Sequence, residues 1–317
     1  MRQKLKIIKP LVVGIGVAGR RHLDAQLALG IQTGVYTTNP GTINLLKRQK
    51  NVIVFDNLNN AIDWSNLVHV CTPDDKHTEF VALALKKKKT VLCEKSFTTN
   101  LKDALYLQKL AHKNNCLLIV GQNYRLTPTF LEARKRILAG DLGTITKIET
   151  TYLHDKTQYQ QRASANKNKD FLYIGGSHVV DLACWIINEQ IIKAQVVSEN
   201  EFNYKITITF ASGLTGNVVL DANLPRPRNG TDLIVTGEKG QLISHNKSDQ
   251  LIFYKNKSKK PQSINLSNNE TLTTAIEVKI VDDYLLGIIN SHWPLPDADE
   301  ALNTMRVLDN IQKKVSL

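Results

Sequence analysis

The feature that most constrains the fold is an alternation of short apolar runs with helical patterns over residues 11–123. The runs at 52–55 and 67–73 are apolar along most of their length instead of at every second position. Strands that are buried on both faces of a parallel sheet have this pattern. Helical patterns follow the runs, as at 77–89 and 101–115. The repeated β-α unit predicts a doubly wound parallel sheet.

The pattern changes after this region. One further helical pattern, at 128–140, is followed by strands, and several of these alternate polar with apolar residues, as at 203–210 and 214–221. Such alternation is typical of an antiparallel sheet with one buried face. Helical patterns at 274–289 and 298–315 close the chain.

The sequence therefore predicts two domains. Residues 1–123 form a doubly wound α/β domain, and residues 124–317 form an α+β domain with a large, mostly antiparallel sheet. Two segments rich in Asn and Lys, 164–169 and 255–270, are expected to be exposed loops.

Composition restricts the class of partner. The chain has 41 Lys+Arg against 29 Asp+Glu, a formal net charge of +12. This charge is compatible with nucleic acid or with a phosphorylated small molecule. The densest basic run, 86–89, ends a helical pattern and complements the helix dipole there, so we expect no nucleic-acid partner.

The four cysteines lie far apart in apolar surroundings without metal-binding spacing, which indicates reduced thiols and a cytoplasmic location. The basic and then apolar start is not interpreted as a signal peptide, because Gly14 and Gly16 interrupt it. We expect no apolar run of the sequence to span a bilayer, and therefore no membrane partner.

A glycine-rich turn follows the first predicted strand. Gly14, Gly16 and Gly19 have the spacing G-x-G-x-x-G at the first β-α connection. These glycines permit a tight turn and let the backbone approach a pyrophosphate at the helix N-terminus. The position of the motif predicts a Rossmann dinucleotide-binding domain.

The end of the second predicted strand bears on the choice of cofactor. NAD-specific domains carry an acidic residue there to bind the ribose 2′-hydroxyl, whereas this strand ends in Thr37, Thr38 and Asn39. Hydroxyl and amide groups, with Arg20 and Arg21 nearby, can bind a 2′-phosphate instead. We therefore expect NADP, with NAD or dual specificity as the alternative.

Several further motifs occur in a characteristic order, and together they resemble the glucose-fructose oxidoreductase/inositol dehydrogenase (Gfo/Idh/MocA) family over nearly the whole chain. After the glycine turn these motifs are Arg20 with His22, Cys71-Thr72-Pro73 with His77, Glu94-Lys95, Gly121-Gln122-Asn123-Tyr124-Arg125 and Gly176-Ser177-His178-Val179-Val180-Asp181.

The resemblance implies an NAD(P)-dependent oxidoreductase acting on a hydroxyl or keto carbon of a sugar, cyclitol or sugar nucleotide. Lys95 occupies the position of the family's active-site lysine, at the carboxyl end of a strand, where its ammonium can stabilise alkoxide charge. His178 matches the family's active-site histidine, a general acid or base. Asp181, three residues later, is expected to orient His178 or to bind a substrate hydroxyl.

The resemblance also implies a full set of binding residues. Substrate contacts are expected from Lys95, Tyr173, His178 and Arg125. Cofactor contacts are expected from Gly14, Gly16, Val17, Ala18, Gly19, Arg20, Thr37, Thr38, Thr72, Pro73, His77, Glu94 and Lys95. Further basic candidates for contact with an anionic substrate are Lys156, Arg162, Arg226 and Arg228.

Two positions depart from the family pattern. Ser96 replaces the proline of Glu-Lys-Pro, and Ile174 replaces the aspartate that many sugar dehydrogenases carry four residues before the histidine. Tyr173 is a candidate to replace it, as an acid or hydrogen-bond donor. These departures leave open a non-catalytic NADP-binding sensor or partner subunit. Family members commonly pair through the open sheet face, so a homodimer or homotetramer is expected.

Overall fold

A computed structural model describes residues 7–160, 167–200, 202–223, 229–255, 260–266 and 272–315. The chain divides into two compact units. The first unit comprises Met1–Asn123 with Thr271–Leu302, and the second comprises Tyr124–Glu270 with Asn303–Leu317.

The first unit is a doubly wound α/β structure, as the sequence predicted. Its sheet has the order β3-β2-β1-β4-β5-β6, and every neighbouring pair is parallel. This order reverses between β1 and β4, which places a ligand-binding edge at their carboxyl ends. The strands are β1 Pro10–Val13, β2 Thr33–Tyr36, β3 Val52–Phe55, β4 Leu67–Val70, β5 Thr90–Glu94 and β6 Leu118–Gly121.

Helices connect these strands. Three of them begin at an asparagine whose side chain accepts a backbone N–H three residues later: Asn39, Asn57 and Asn100. These caps satisfy donors that a helix leaves unpaired at its start. The helices are α1 Val17–Ala28, α2 Pro40–Leu46, α3 Leu58–Trp64, α4 His77–Lys86 and α5 Leu101–Lys113.

The second unit contains a large mixed sheet. Its strand order is β14-β13-β12-β11-β7-β10-β9-β8, and the pairing is antiparallel except between β7 and β10. Its strands are β7 Ile145–Leu153, β8 Ile191–Asn200, β9 Asn203–Phe210, β10 Thr215–Asp221, β11 Gly230–Gly237, β12 Gly240–His245, β13 Gln250–Lys255 and β14 Gln262–Asn265. The remaining helices of the chain are α6 Pro128–Leu138, α7 Thr157–Gln160, α8 Lys167–Ile187, α9 Leu272–Leu286 and α10 Ala298–Val315.

Burial alternates along the strands of this second sheet, as the sequence indicated. In β9 and β11 every second side chain is buried, including Ile206, Ile208, Leu233 and Val235. Helix α8 lies on the covered face and packs against β7. Hydrophobic burial on one face therefore holds α8 to the sheet, while the opposite face carries mostly polar side chains.

The division of the chain differs from the sequence-based expectation at one segment. Residues 271–302 were assigned to the second domain, but α9 belongs to the first unit, where it packs against α1. The helical period of α9 was visible in the sequence, but which neighbour it covers depends on long-range packing.

Helix α8 carries two glycines in its interior. Gly175, Gly176 and Ser177 lie within a helix of 21 residues. A Cβ at Gly175 would stand 2.6 Å from Tyr152 Cδ1, and one at Gly176 would stand 2.7 Å from Leu308 Cδ2. The glycines therefore permit close packing in the middle of the helix and do not mark its end.

Helix α8 also corrects the expectation about apolar runs. Its window Asp170–Ile187 is long and apolar enough to cross a bilayer, but 78% of it is buried inside the protein. That burial is typical of the core helix of a folded domain. The segment 255–270, expected to be a loop, contains β14, because the polar side chains of an edge strand resemble those of a loop.

Candidate active site

The glycine turn of the first unit has the geometry that its spacing predicted. Gly14 has a φ of +87°, and its N–H donates to the carbonyl of Tyr36 over 2.9 Å. A Cβ at Gly19 would lie 1.9 Å from the carbonyl oxygen of Gly14. Gly14 therefore supplies a left-handed backbone, and Gly19 permits helix α1 to pack against the strand that precedes it.

Gly16 has a different role from its neighbours. A Cβ there would meet nothing within 4 Å, so the space in front of this residue is open. Val17, in the first turn of α1, is 76% exposed, and that first turn contains no acidic residue. An open helix N-terminus without acidic side chains and with free approach to its backbone fits the pyrophosphate of a dinucleotide. Ala18 lies in the same turn.

The end of β2 carries the residues expected to contact the adenosine ribose. Thr37 is half-buried, Thr38 is exposed, and Asn39 caps α2 by accepting the N–H of Thr42 over 3.0 Å. Arg20 forms an exposed ion pair with Asp24, with 2.9 Å between Nε and Oδ1. The charge of Arg20 is thus shared with Asp24 within α1.

The segment after β4 lies against the glycine turn. A Cβ at Gly14 would stand 2.9 Å from Cγ2 of Thr72, and the buried hydroxyl of Thr72 has no hydrogen-bond partner among the described residues. Pro73 is exposed. The ring of His77 is buried, with Nε2 2.9 Å from the Thr72 carbonyl and Nδ1 2.8 Å from the Ser96 carbonyl. His77 therefore ties the loop after β4 to the loop after β5.

Glu94 and Lys95 stand at the carboxyl end of β5, at the ligand-binding edge of the sheet. Glu94 Oε2 accepts the backbone N–H of Lys95 over 3.1 Å, and Oε1 lies 3.1 Å from Nε2 of His22. Burial opposes the charged form, but the hydrogen bond from His22, with the charges of Lys95 and His77, lowers the pKa of Glu94. The peptide between Lys95 and Ser96 is cis.

In the second unit, His178 lies on α8 within a column of stacked rings. Its ring is 4.1 Å from that of Tyr124 and 5.9 Å from that of Tyr152, with interplanar angles of 21° and 17°. Tyr152 in turn stacks on His154 at 5.2 Å. These contacts fix the plane of the His178 imidazole, which is 5% exposed.

Asp181 and Arg125 pair with each other in the second unit. Nε of Arg125 donates to Oδ2 of Asp181 over 2.8 Å, and Nη2 donates to Oδ1 over 2.7 Å. Both side chains are buried, so the pair is a desolvated bidentate salt bridge. Each carboxylate oxygen of Asp181 accepts from Arg125, a pairing that the sequence did not indicate.

Tyr173 and Ile174 occupy neighbouring buried positions on α8. Burial and the negative charge of Asp309 raise the pKa of Tyr173 to about 12. Its phenol therefore keeps its proton at neutral pH and is suited to donate a hydrogen bond. Ile174 supplies no polar side-chain atom.

The other candidate cations are one lysine and three arginines. Lys156 is exposed, directly after β7 and the Asp155 turn. Arg162, Arg226 and Arg228 lie outside the described residues.

Sequence reasoning missed several polar residues that surround Glu94 in the first unit. His69 in β4, Gln26 in α1, and Glu277 and Asp282 in α9 are all buried. In the sequence, each of these residues is a polar residue at a position where the predicted helix or strand is otherwise apolar. Their hydrogen-bond partners are distant in the sequence, so this pattern does not predict which of these residues contact each other.

Comparison with known proteins identifies the class of protein that this fold and these motifs define. Residues 8–122 match the Gfo/Idh/MocA oxidoreductase family with its NAD-binding Rossmann fold, and residues 130–243 match the family's C-terminal domain. The chain belongs to the Gfo/Idh/MocA family of oxidoreductases, as its motifs predicted.

Individual relatives share part of the sequence. An uncharacterized oxidoreductase of Schizosaccharomyces pombe is 34% identical over 56% of this chain and 51% of its own length. Glucose-6-phosphate 3-dehydrogenase of Bacillus subtilis is 25% identical over 61% of this chain and 58% of its own length. The similarity thus spans only a little over half of each of these relatives.

Solved structures share the fold of the whole chain. Levoglucosan dehydrogenase in complex with NADH and levoglucosan superposes with a TM-score of 0.84 at 18% identity, covering 98% of this chain and 97% of its own. UDP-N-acetylglucosamine 3-dehydrogenase of Acidithiobacillus ferrooxidans gives a TM-score of 0.81 at 15% identity, covering 99% and 98%. At these identities the likeness concerns the fold.

Proposed function

We propose that this protein transfers a hydride between a nicotinamide dinucleotide and a hydroxyl or keto carbon of a sugar, cyclitol or sugar nucleotide. The observation that carries the proposal is the arrangement in the first unit. An open glycine turn at Gly16 leads into α1, and Lys95 stands at the carboxyl end of β5 in the same sheet. The dehydrogenase names of the relatives support the substrate class.

The proposed chemistry is oxidation of an alcohol carbon or its reverse. A bound nicotinamide would supply the acceptor for the hydride that leaves the carbon, and the hydroxyl loses its proton as the carbonyl forms. Lys95 stabilises the developing alkoxide with its ammonium group. His178, held in plane by Tyr124 and Tyr152, accepts the proton during oxidation and returns it during reduction.

Other residues of the second unit support this role. Asp181 holds the guanidinium of Arg125 and so fixes the face of α8 that also carries His178. Tyr173 donates a hydrogen bond to a substrate oxygen, in place of the aspartate that Ile174 replaces. An anionic substrate, such as a sugar nucleotide, fits the positive net charge of +12.

We propose NADP as the preferred cofactor, with NAD as the alternative. No carboxylate stands at the end of β2, where NAD-specific domains place one, and Thr37 with Thr38 offers hydroxyl groups to a 2′-phosphate. Arg20 pairs with Asp24, which reduces the positive charge that Arg20 offers to a 2′-phosphate. Arg21 is the second basic residue that follows the glycine turn.

A homodimer or homotetramer is proposed through the open face of the second sheet. Ile234, Ile243 and Ile252 form one register row across β11, β12 and β13 and point away from the buried face. The four free cysteines suit a reducing, cytoplasmic location. Light scattering tests the proposed oligomer, and a monomer at all protein concentrations would contradict it.

The decisive experiment combines binding with turnover. Purified protein is titrated with NADPH and NADH by nicotinamide fluorescence and then assayed with sugars, inositols, sugar phosphates and UDP-sugars. We expect turnover that Lys95→Ala and His178→Asn each lower at least about a hundredfold, with a non-additive double variant because both act on one step. Tight cofactor binding without turnover on any substrate favours the non-catalytic sensor, and absence of binding contradicts both proposals.

A further inference from the structure

A chain of buried polar side chains in the first unit is not used by the proposed chemistry. Nε2 of Gln26 lies 3.2 Å from Oδ1 of Asp282 and 3.4 Å from Nε2 of His69. Nδ1 of His69 lies 2.9 Å from Nδ1 of His22, whose Nε2 is 3.1 Å from Oε1 of Glu94. The chain thus runs from α9 through α1 and β4 to the residue that precedes Lys95.

The hydrogen-bond directions in this chain follow from its donors. An amide nitrogen can only donate, so Nε2 of His69 accepts from Gln26, and its Nδ1 carries the proton. Burial, with the nearby His22, lowers the pKa of His69 well below its usual value, which keeps it neutral. Nδ1 of His22 then accepts, and its Nε2 donates to Glu94. From Gln26 through the two histidines the donors therefore point toward the Glu94 carboxylate, while the second amide hydrogen of Gln26 is donated to Asp282.

A second carboxyl group lies beside the end of this chain. Glu277 of α9 is 1% exposed, and its Oε1 lies 2.6 Å from where a Cβ of Gly121 would stand. Gly121 is the register partner of Glu94 in the neighbouring strand. Burial and the charge of Glu94 raise the pKa of Glu277 well above its usual value. Glu94 accepts hydrogen bonds from His22 and from the Lys95 backbone, whereas Oε1 of Glu277 has no hydrogen-bond partner among the described residues, so negative charge is favoured on Glu94 over Glu277.

Glu94 connects this network to Lys95. Its Oε1 faces His22 on α1, the helix whose N-terminus we assign to the pyrophosphate, and its Oε2 accepts the backbone N–H of Lys95. The titratable groups facing Glu277 from the packed strands are Glu94 on β5 and the Cys71 thiol after β4, with His22 of α1 behind Glu94. Burial, followed by the charges of Glu94, Cys93 and Glu277, raises the pKa of the Cys71 thiol.

We propose that His22 and Glu277 are positioning residues for Lys95: His22 holds the Glu94 carboxylate that fixes the Lys95 backbone, and Glu277 keeps the adjoining carboxyl position uncharged. This inference rests on the proposed role of Lys95. Ionisation of Glu277 would place a second negative charge beside Glu94 and disturb the group to which Lys95 is bound.

The test compares three variants of the full chain with the parent protein. His22→Leu removes both hydrogen bonds, and we expect kcat to fall about tenfold to a hundredfold through misplacement of Lys95, with little change in cofactor Kd. His22→Gln is the matched control, because its amide can donate to Glu94 and accept from His69; it is expected to recover most of kcat. Equal losses in the two variants, or an unchanged kcat in His22→Leu, would overturn the role of His22.

Glu277→Gln tests the proton on the second carboxyl. An amide is uncharged at every pH, so we expect the decline of kcat at alkaline pH to move to higher pH. A decline at the same pH as in the parent protein shows that Glu277 does not set the alkaline limit, and this result overturns its role.

A readout without turnover separates this inference from the proposed function. In protein with ¹⁵N-labelled histidines, we expect His22 to carry its proton on Nε2 and His69 on Nδ1, and Lys95→Ala should leave both tautomers unchanged. Protons on Nδ1 of His22 and on Nε2 of His69 would contradict the proposed hydrogen-bond directions. If Lys95→Ala retains turnover, the catalytic assignment of Lys95 is rejected. If Lys95→Ala loses turnover while His22→Leu keeps full activity, only the positioning role inferred here is rejected.

Discussion

The carboxyl group of Glu277 occupies the place where a side chain of residue 121 would stand, 2.6 Å from the position of a Cβ on Gly121. Gly121 ends β6, and Glu277 belongs to α9, so a strand end and a distant helix meet at the edge of the first unit's sheet. Gly121 does not have a positive φ, so its backbone conformation does not require glycine. The glycine is needed there because a larger side chain would have no space.

Gly121→Ala is therefore expected to destabilise the protein by about 1–3 kcal/mol through overpacking against a buried carboxyl. Urea unfolding measures the loss. Glu277→Ala removes the carboxyl, so the double variant should lose less stability than the sum of the two single changes. Gly41→Ala is the control, because its Cβ would meet only Asn39 Oδ1, at 3.4 Å. An additive double variant would contradict the contact.

The pH dependence of stability should report the buried carboxyl of Asp282. Burial raises its pKa from 3.8 to about 7, so between these values the unfolded chain has lost a proton that the folded protein keeps. Stability is therefore lost as pH rises from about 4 to 7, by about 4 kcal/mol as an upper bound. The amide of Asp282→Asn does not ionise, so this variant does not have the pH-dependent loss of stability, and its side-chain oxygen can still accept the hydrogen bond from Gln26.

We expect Asp282→Asn to gain stability relative to the parent protein as pH increases from 4 to 7, with a constant difference above that range. Urea unfolding at pH 4.5, 6 and 8 measures it. The exposed acid Asp63, paired with Lys87, is the control: Asp63→Asn should change stability by less than about 1 kcal/mol. A stability difference between Asp282→Asn and the parent that stays the same from pH 4.5 to pH 8 would contradict the raised pKa of Asp282.

The salt bridge of Arg125 with Asp181 should be costly to break from one side. Arg125→Met leaves a buried carboxylate without its bidentate partner, and we expect a loss of about 3–5 kcal/mol in the free energy of unfolding. Arg125→Met with Asp181→Leu removes both charges and should recover much of the loss. Arg20→Ala breaks the exposed pair with Asp24 and is expected to cost less than about 1 kcal/mol. Similar losses for Arg125→Met and Arg20→Ala would argue against a desolvated pair.

Cofactor preference should respond to the end of β2. Thr37→Asp introduces the carboxylate that binds a ribose 2′-hydroxyl and repels a 2′-phosphate. We expect the ratio of NADPH to NADH affinity to fall about tenfold or more, a change of about 1.4 kcal/mol. Fluorescence titrations of both cofactors measure this ratio. Thr215→Asp adds the same charge at a strand end in the second unit and should leave the ratio unchanged. An unchanged ratio in Thr37→Asp would place the adenosine ribose elsewhere.

The sequence alone determined the fold class and the cofactor turn. Unbroken apolar runs and the spacing of Gly14, Gly16 and Gly19 are local features, and local sterics and burial give them the same meaning in any chain. Three asparagine caps and the alternating strands of the second unit are equally local. The order of the motifs then indicated the family.

Only the tertiary structure decided which polar groups meet. The sequence did not indicate that Asp181 pairs with Arg125. Glu277 and Asp282 approach Glu94 and Gln26 from a helix that the sequence placed in the other domain. The charge of a buried carboxyl depends on neighbours brought together by packing across long stretches of chain. Periodicity indicates that a face of a helix is buried, whereas the partner of that face is set by the free energy of the whole assembled unit.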